Sequence, residues 1–238
     1  MTEEDYEAAE ARWLNLVSDF QLELAQALNS MGGMPIPNAA IKYAAFAGKH
    51  ANQAIDSYVL LRQTRRVAGS KLLVRLAIET TLRFLAVHKK PTLVYRVIFG
   101  ERKSRLMWLR ANTERLGMTF DAQHEEKDWQ AFKKHCIEEI PGVDLQDAEL
   151  SIEAIARDAG AHAFYDSHYR LYSGFTHATF EATTGQLDWL TNLSDNRAIS
   201  ACALELLRAL SSIGAETPNL SSLESRYAKL HVQLKPNS

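Results

Sequence analysis

Asp166, Arg170, Ser173 and His177 recur at helical spacing in the stretch DSHYRLYSGFTH. At about 100° per residue, seven positions return to within about 20° of the starting direction, so Arg170 and His177 share one face of a helix. Asp166 lies one turn before Arg170, and Glu181 one turn after His177. These side chains suit cleavage of RNA without a metal. A histidine can take the proton of a 2'-hydroxyl or protonate the leaving oxygen, and an arginine can stabilise charge on the phosphorane. Asp166 or Glu181 would orient those partners. On the opposite side, Phe164, His168, Leu171, Phe175 and Ala178 form an expected packing stripe. The same spacing also describes a solvated polar face carrying ion pairs one turn apart, and both readings stay open.

A second polar row lies upstream, in KLLVRLAIETTLRFLAVHKK. Helical projection places Leu72, Leu76, Ile78, Leu82, Ala86 and Val87 on one broad apolar face, with Arg75, Glu79 and Arg83 inside it. Their spacing of four lets both arginines pair with Glu79, which a partly buried site needs because an unpaired buried charge is costly. The row is either a structural ion ladder between packed helices or an anion pocket whose guanidinium fork Glu79 holds.

The elements that must carry these rows are all helical. Aliphatic and alanine-rich segments recur at helical spacing throughout the 238 residues, and alternating β-branched runs bounded by turn dipeptides are missing. The reading is an all-α helical bundle forming one domain over residues 1–238. Its core covers roughly 38–116 and 160–215, with an acidic mid-chain helical elaboration at roughly 121–158. Expected helices run from Glu3 to Ser30, from an Asn38 cap to about Arg66, from Lys71 after a break at Gly69 and Ser70, and from Pro91 to about Leu116. Further helices are expected at 124–140, near 148–158 and from Gly160 to about Thr183. A last pair starts at Asp195 and at the Thr217–Pro218 cap.

The formal net charge of −2 conceals segregation along the chain. Residues 62 to 110 carry thirteen Lys and Arg against Glu79 and Glu101, whereas residues 121 to 166 carry twelve acids against four bases. The basic middle, including Arg102, Lys103 and Arg105, is either screened by the acidic parts or offered to a phosphate backbone. Apolar stretches are interrupted well before the roughly 20 residues a membrane span needs, so no membrane partner is expected. The acidic start, without a leader pattern, and two isolated cysteines, Cys136 and Cys202, point to a reducing cytoplasmic setting. His124, Asp128 and His135 share a helical face, but HEEKD lacks the second histidine of a zinc-protease motif, so no metal and no cofactor is expected.

The RLAIETTLRFLAV helix, followed at a distance by YRLYSGFTHATFEA, resembles a bacterial all-helical family catalogued only as a domain of unknown function, number 5677. That resemblance spans about residues 40 to 190, rests on Arg75, Glu79, Tyr169, Ser173 and His177, and implies no activity. The spacing of Arg170 and His177 is also similar to the R-x4-6-H signature of HEPN proteins, helical bundles that often dimerise and act as metal-independent ribonucleases in bacterial defence and toxin systems. This second resemblance implies Arg170 and His177 as catalytic residues, RNA as the partner and a homodimer as the working form. The competing expectation is a non-catalytic helical module that binds a protein or nucleic-acid partner through its segregated charges.

Overall fold

The computed structural model describes residues 3–31, 39–64, 67–116, 122–141, 145, 151–170, 172 and 189–233, and these are helical with short connections. The helices are α1 (Glu3–Ser30), α2 (Ala39–Gln63), α3 (Val67–Lys89), α4 (Leu93–Leu116), α5 (Ala122–Glu139), α6 (Ile152–Asp158), α7 (His162–Phe164), α8 (Trp189–Ser212) and α9 (Leu220–Gln233). A π-helical turn, Tyr165–Tyr169, continues α7 without a break. The all-α expectation is therefore met, and no strand occurs among the described residues.

Several boundaries differ from the sequence reading for local reasons. Gly69 and Ser70 do not interrupt α3 but sit within its first turn, where Ser70 is buried. Pro91 lies in the turn before α4, with the Val94 N–H donating to its carbonyl at 3.2 Å. Helix α8 begins at Trp189, so Asp195 is inside it rather than at its start. The proposed Asn38 cap lies outside the described residues. Two helices end on glycines in the left-handed region, Gly160 (φ 65°) after α6 and Gly214 (φ 95°) after α8. At each, the next residue donates to a carbonyl five back, Ala161 to Ala156 at 2.8 Å and Ala215 to Leu210 at 3.1 Å. The glycine itself donates three back, completing a Schellman end that stops the helix sharply and redirects the chain.

Helix α3 is the centre of the bundle, packing on α2, α8, α6 and the π-helical turn, while α8 also packs on α1 and α9. On α1, residues at helical spacing form the inner stripe: Trp13, Val17, Phe20, Leu24 and Leu28 are buried, with Leu14 half-buried beside them. On α3 the projection needs correction. Leu72 and Leu76 are exposed, whereas Lys71, Val74, Ala77 and Thr81 join Ile78, Leu82, Ala86 and Val87 inside. The acidic stretch divides between two surroundings. Helix α5 packs on α4, while α6 buries Ile155 and Ala156 against α3.

The buried Lys71 has a reason. Its Nζ pairs with Asp195 of α8, and the two side chains are 2% and 0% exposed. The Tyr172 hydroxyl donates to the other Asp195 oxygen at 2.6 Å, and Tyr58 donates to the neighbouring Asn196 at 2.7 Å. Nearby, Arg62 donates to Asn192 at 2.9 Å and pairs with Glu10 of α1. Removing one partner of a buried ion pair strands the other charge. Lys71→Ala and Asp195→Ala should each lower unfolding free energy by about 3 to 5 kcal/mol in urea melts, while Lys71→Met combined with Asp195→Leu should recover most of that loss. Equal losses in the single and double variants would mean that charge pairing is not what holds these helices.

Candidate functional site

The candidate ridge starts at the Schellman end of α6, which sends the chain into α7 at His162. The π-helical turn then replaces four-residue hydrogen bonds with a wider one, the Arg170 N–H donating to the Tyr165 carbonyl. Such a turn shifts the angular phase of everything after it, so a uniform projection at 100° per residue misplaces side chains across it. Tyr169 and Tyr172 are buried, and Phe164 and His168 are half-buried; Leu171, Phe175 and Ala178 of the expected stripe lie outside the described residues.

Asp166 and Arg170 face outwards, as the spacing implied. Arg170 Nε lies 3.1 Å from one Asp166 oxygen, and the Arg170 side chain is 62% exposed. The second Asp166 oxygen lies 2.9 Å from His162 Nδ1. One carboxylate thus holds an imidazole and a guanidinium together. The other ring nitrogen, Nε2, lies 3.9 Å from Glu153 Oε1, so the His162 ring is set between two carboxylates. The Arg170 guanidinium also lies 5.6 Å from the centre of the Tyr165 ring. Sequence reasoning missed His162, although its spacing of four before Asp166 was a usable signal. Ser173, His177 and Glu181 lie outside the described residues.

The Arg75 row adjoins this ridge through Tyr169, whose ring stacks on Tyr165 at 5.2 Å. The Tyr169 hydroxyl donates to Glu79 at 2.8 Å, Arg75 pairs with Glu79 at 3.3 Å, and the Arg75 guanidinium lies 5.5 Å from the Tyr169 ring centre. Burial, and then the bond to Glu79, raises the Tyr169 pKa above its ordinary value. Arg75 and Glu79 are partly buried and paired. The expected second pairing does not form: Arg83 pairs with Glu101 of α4 at 3.4 Å. Arg83 also bonds Tyr43, whose pKa is pushed up to about 12 by burial and by Glu101.

The other basic candidates lie on α4 against the acidic face of α5. Arg105 pairs with Glu125 at 2.9 Å, Arg110 pairs with Glu126, and Arg102 lies 4.7 Å from the centre of the Phe132 ring. Lys103 is half-buried. Two basic residues of α4, Arg105 and Arg110, are therefore paired with acids of α5, while Arg102 and Arg105 remain solvent-exposed. His124 lies 3.6 Å from Asp128, and among the described residues no group of three His, Cys, Asp or Glu side chains could hold a metal.

Two consequences can be measured. Because Glu79 holds Arg75 and Tyr169 but not Arg83, Glu79→Ala should cost about 1 kcal/mol, below the 3 to 5 kcal/mol of a fully buried triplet. A loss above that lower range in a urea melt would restore the triplet. On the inner side, burial, followed by the charges of Arg197 and His231, lowers His168 from 6.5 to about 4. The unfolded chain therefore binds the proton first. Stability from neutral His168 is complete above pH 6.5 and is lost as pH falls from 6.5 towards 4. Over that window wild type should lose about 2 kcal/mol more than His168→Gln, and parallel curves would refute the assignment.

No curated protein and no solved structure matches the chain. No helix among the described residues is long and apolar enough to cross a membrane. Residues 44–195, more than half of the chain and including the Arg75 row, the π-helical turn and Asp195, match the model of a family of unknown function (DUF5677), and the protein belongs to that family.

Proposed function

We propose that the protein binds RNA and cleaves it without a metal, in the manner of the HEPN ribonucleases of bacterial defence and toxin systems. The observation that carries this reading is the exposed chain His162–Asp166–Arg170, in which one carboxylate orients an imidazole and a guanidinium at a π-helical turn. In the proposed reaction, a histidine takes the proton of a ribose 2'-hydroxyl and the 2'-oxygen attacks the adjacent phosphorus. The P–O5' bond breaks, and the leaving 5'-oxygen receives a proton from a second acid. Arg170 stabilises the charge on the phosphorane. His177 and His162 are the proposed proton carriers, with Ser173 a hydrogen-bonding partner for the phosphate. The products are a 2',3'-cyclic phosphate and a 5'-hydroxyl. The proposed working form is a cytoplasmic homodimer whose two ridges face one cleft.

A second reading is a non-catalytic module that binds a protein or nucleic-acid partner. It is favoured by the internal neutralisation of α4, where Arg105 and Arg110 already hold acids of α5. Binding of a single-stranded RNA should weaken steeply as salt rises, and charge reversal at Arg102, Lys103 and Arg105 should weaken it further. Absence of binding at low salt would favour a protein partner.

Cleavage is tested on structured and single-stranded RNAs in the presence of EDTA. Arg170→Ala and His177→Ala should each lower the rate by about 100-fold or more while leaving the melting temperature nearly unchanged. Loss of activity on chelation, a product without the cyclic phosphate, or intact RNA throughout would remove the ribonuclease reading.

A further inference from the structure

Trp108 of α4 stands in water. Its side chain is 55% exposed, whereas Trp13 is 1% exposed in the core and Trp129 stacks on Phe99 of α4. An uncovered indole is an informative surface residue, because such a ring gains more from being covered than most side chains do. Its direction on the helix explains the exposure. Phe99, Leu106 and Leu109 are the buried residues where α4 and α5 meet. At about 100° per residue, Trp108 points about 100° away from Leu109 and about 160° away from Leu106.

Positive charge accompanies the ring. Helix α4 carries six Lys and Arg against Glu101 and Glu114. Arg115, seven positions after Trp108, returns to within about 20° of its direction. It is exposed, and among the described residues no acid pairs with it. Arg105, one turn before Trp108, meets Glu125 through Nη2, and its side chain is 63% exposed. An exposed pair of this kind contributes little, so its outward N–H groups remain usable by a phosphate. Glu101, the acid on this face, is held by Arg83, which turns the face towards α3. Seven and eleven positions before Arg83, on its side of α3, are the exposed Leu76 and Leu72. Arg75 and Glu79 beside them reach the ridge through Tyr169, so Trp108 and the ridge border the same outer face of α3.

A partner that covers this part of α4 must set a flat apolar surface beside negative charge. Single-stranded RNA does so at every nucleotide, whereas a duplex keeps its base faces inside the stack. We propose that Trp108 is a stacking platform for an unpaired RNA base, with Arg105 and Arg115 holding the phosphates on either side of it. This rests on the proposed RNA binding and not on cleavage.

The test uses the full chain and a labelled 2'-O-methyl oligouridine of about twelve nucleotides, within the span of single-strand sites. That probe lacks the 2'-hydroxyl needed for cleavage. Linear polyphosphate serves as a probe with charge and no bases. Trp108→Ala should weaken oligouridine binding about 5- to 150-fold, the range for one stacked base, with polyphosphate binding and melting temperature unchanged. Trp108→Phe should restore much of the loss. Arg115→Ala should lower the slope of log affinity against log salt by about 0.7, the share of one phosphate, while Trp108→Ala keeps the slope. Four results each overturn the proposal: equal oligouridine affinity in wild type and Trp108→Ala, an equal loss for polyphosphate, no wild-type binding at low salt, or a changed oligomeric state in Trp108→Ala, which marks a contact between protein chains. Intact unmodified RNA together with Trp108-dependent binding removes the ribonuclease reading and keeps the platform. Cleavage together with binding indifferent to Trp108→Ala does the reverse.

Discussion

The arrangement of the bundle depends on a buried charge. Lys71 enters from α3 and Asp195 from α8, and both are almost wholly removed from water. Burial raises the Asp195 pKa, while Lys71, Tyr172 and Arg62 pull it back. Against apolar residues of the same size, such a pair adds little stability, because desolvation offsets the attraction. Its stronger effect is on register. Sliding α3 against α8 by one turn would strand both charges, whereas a leucine seam could re-form in a neighbouring register. Tyr172 brings the ridge-bearing segment into the same constraint by donating to Asp195 at 2.6 Å. The neighbouring bonds of Tyr58 to Asn196 and Arg62 to Asn192 tie α2 to α8 as well.

This constraint also limits what could be read from the sequence. Period and breakers were enough for most helices, because a stripe such as Trp13, Val17, Phe20 and Leu24 has one physical use. On α3 the same method failed for a definable reason. A projection ranks residues by their own polarity, so it drew Leu72 and Leu76 inwards and left Lys71 out. The lysine is buried because its partner lies 124 positions away, and a single-helix pattern carries no information about that residue. Arg83 illustrates the same limit. Spacing of four made Glu79 available to it, but the packing of α4 brought Glu101 closer. Local spacing defines which pairs can form, and tertiary packing selects among them.

The π-helical turn introduces a second kind of illegibility, since nothing in YDSHY identifies a wider turn by composition. Its consequence is to divide the segment's polar groups between two environments. Asp166 and Arg170 remain in water, where their pairing is solvent-screened. His168 turns inwards, where burial and neighbouring positive charge keep it neutral at ordinary pH. Two imidazoles six residues apart, His162 and His168, are thereby assigned different electrostatic surroundings: one beside a carboxylate and one near a guanidinium.

The division has a mechanical basis in Tyr169 and Tyr172. Tyr169 bonds Glu79 on α3 at 2.8 Å, and Tyr172 bonds Asp195 on α8, so the segment is held against both central helices by hydroxyl groups. With its rotation set by these two anchors, the outer residues are presented at fixed positions even though they make few buried contacts themselves. A polar ridge held in this way needs no packing of its own side chains. Its orientation comes from the tyrosines beneath it, and theirs follows from a buried carboxylate held by Lys71 and a partly buried one held by Arg75.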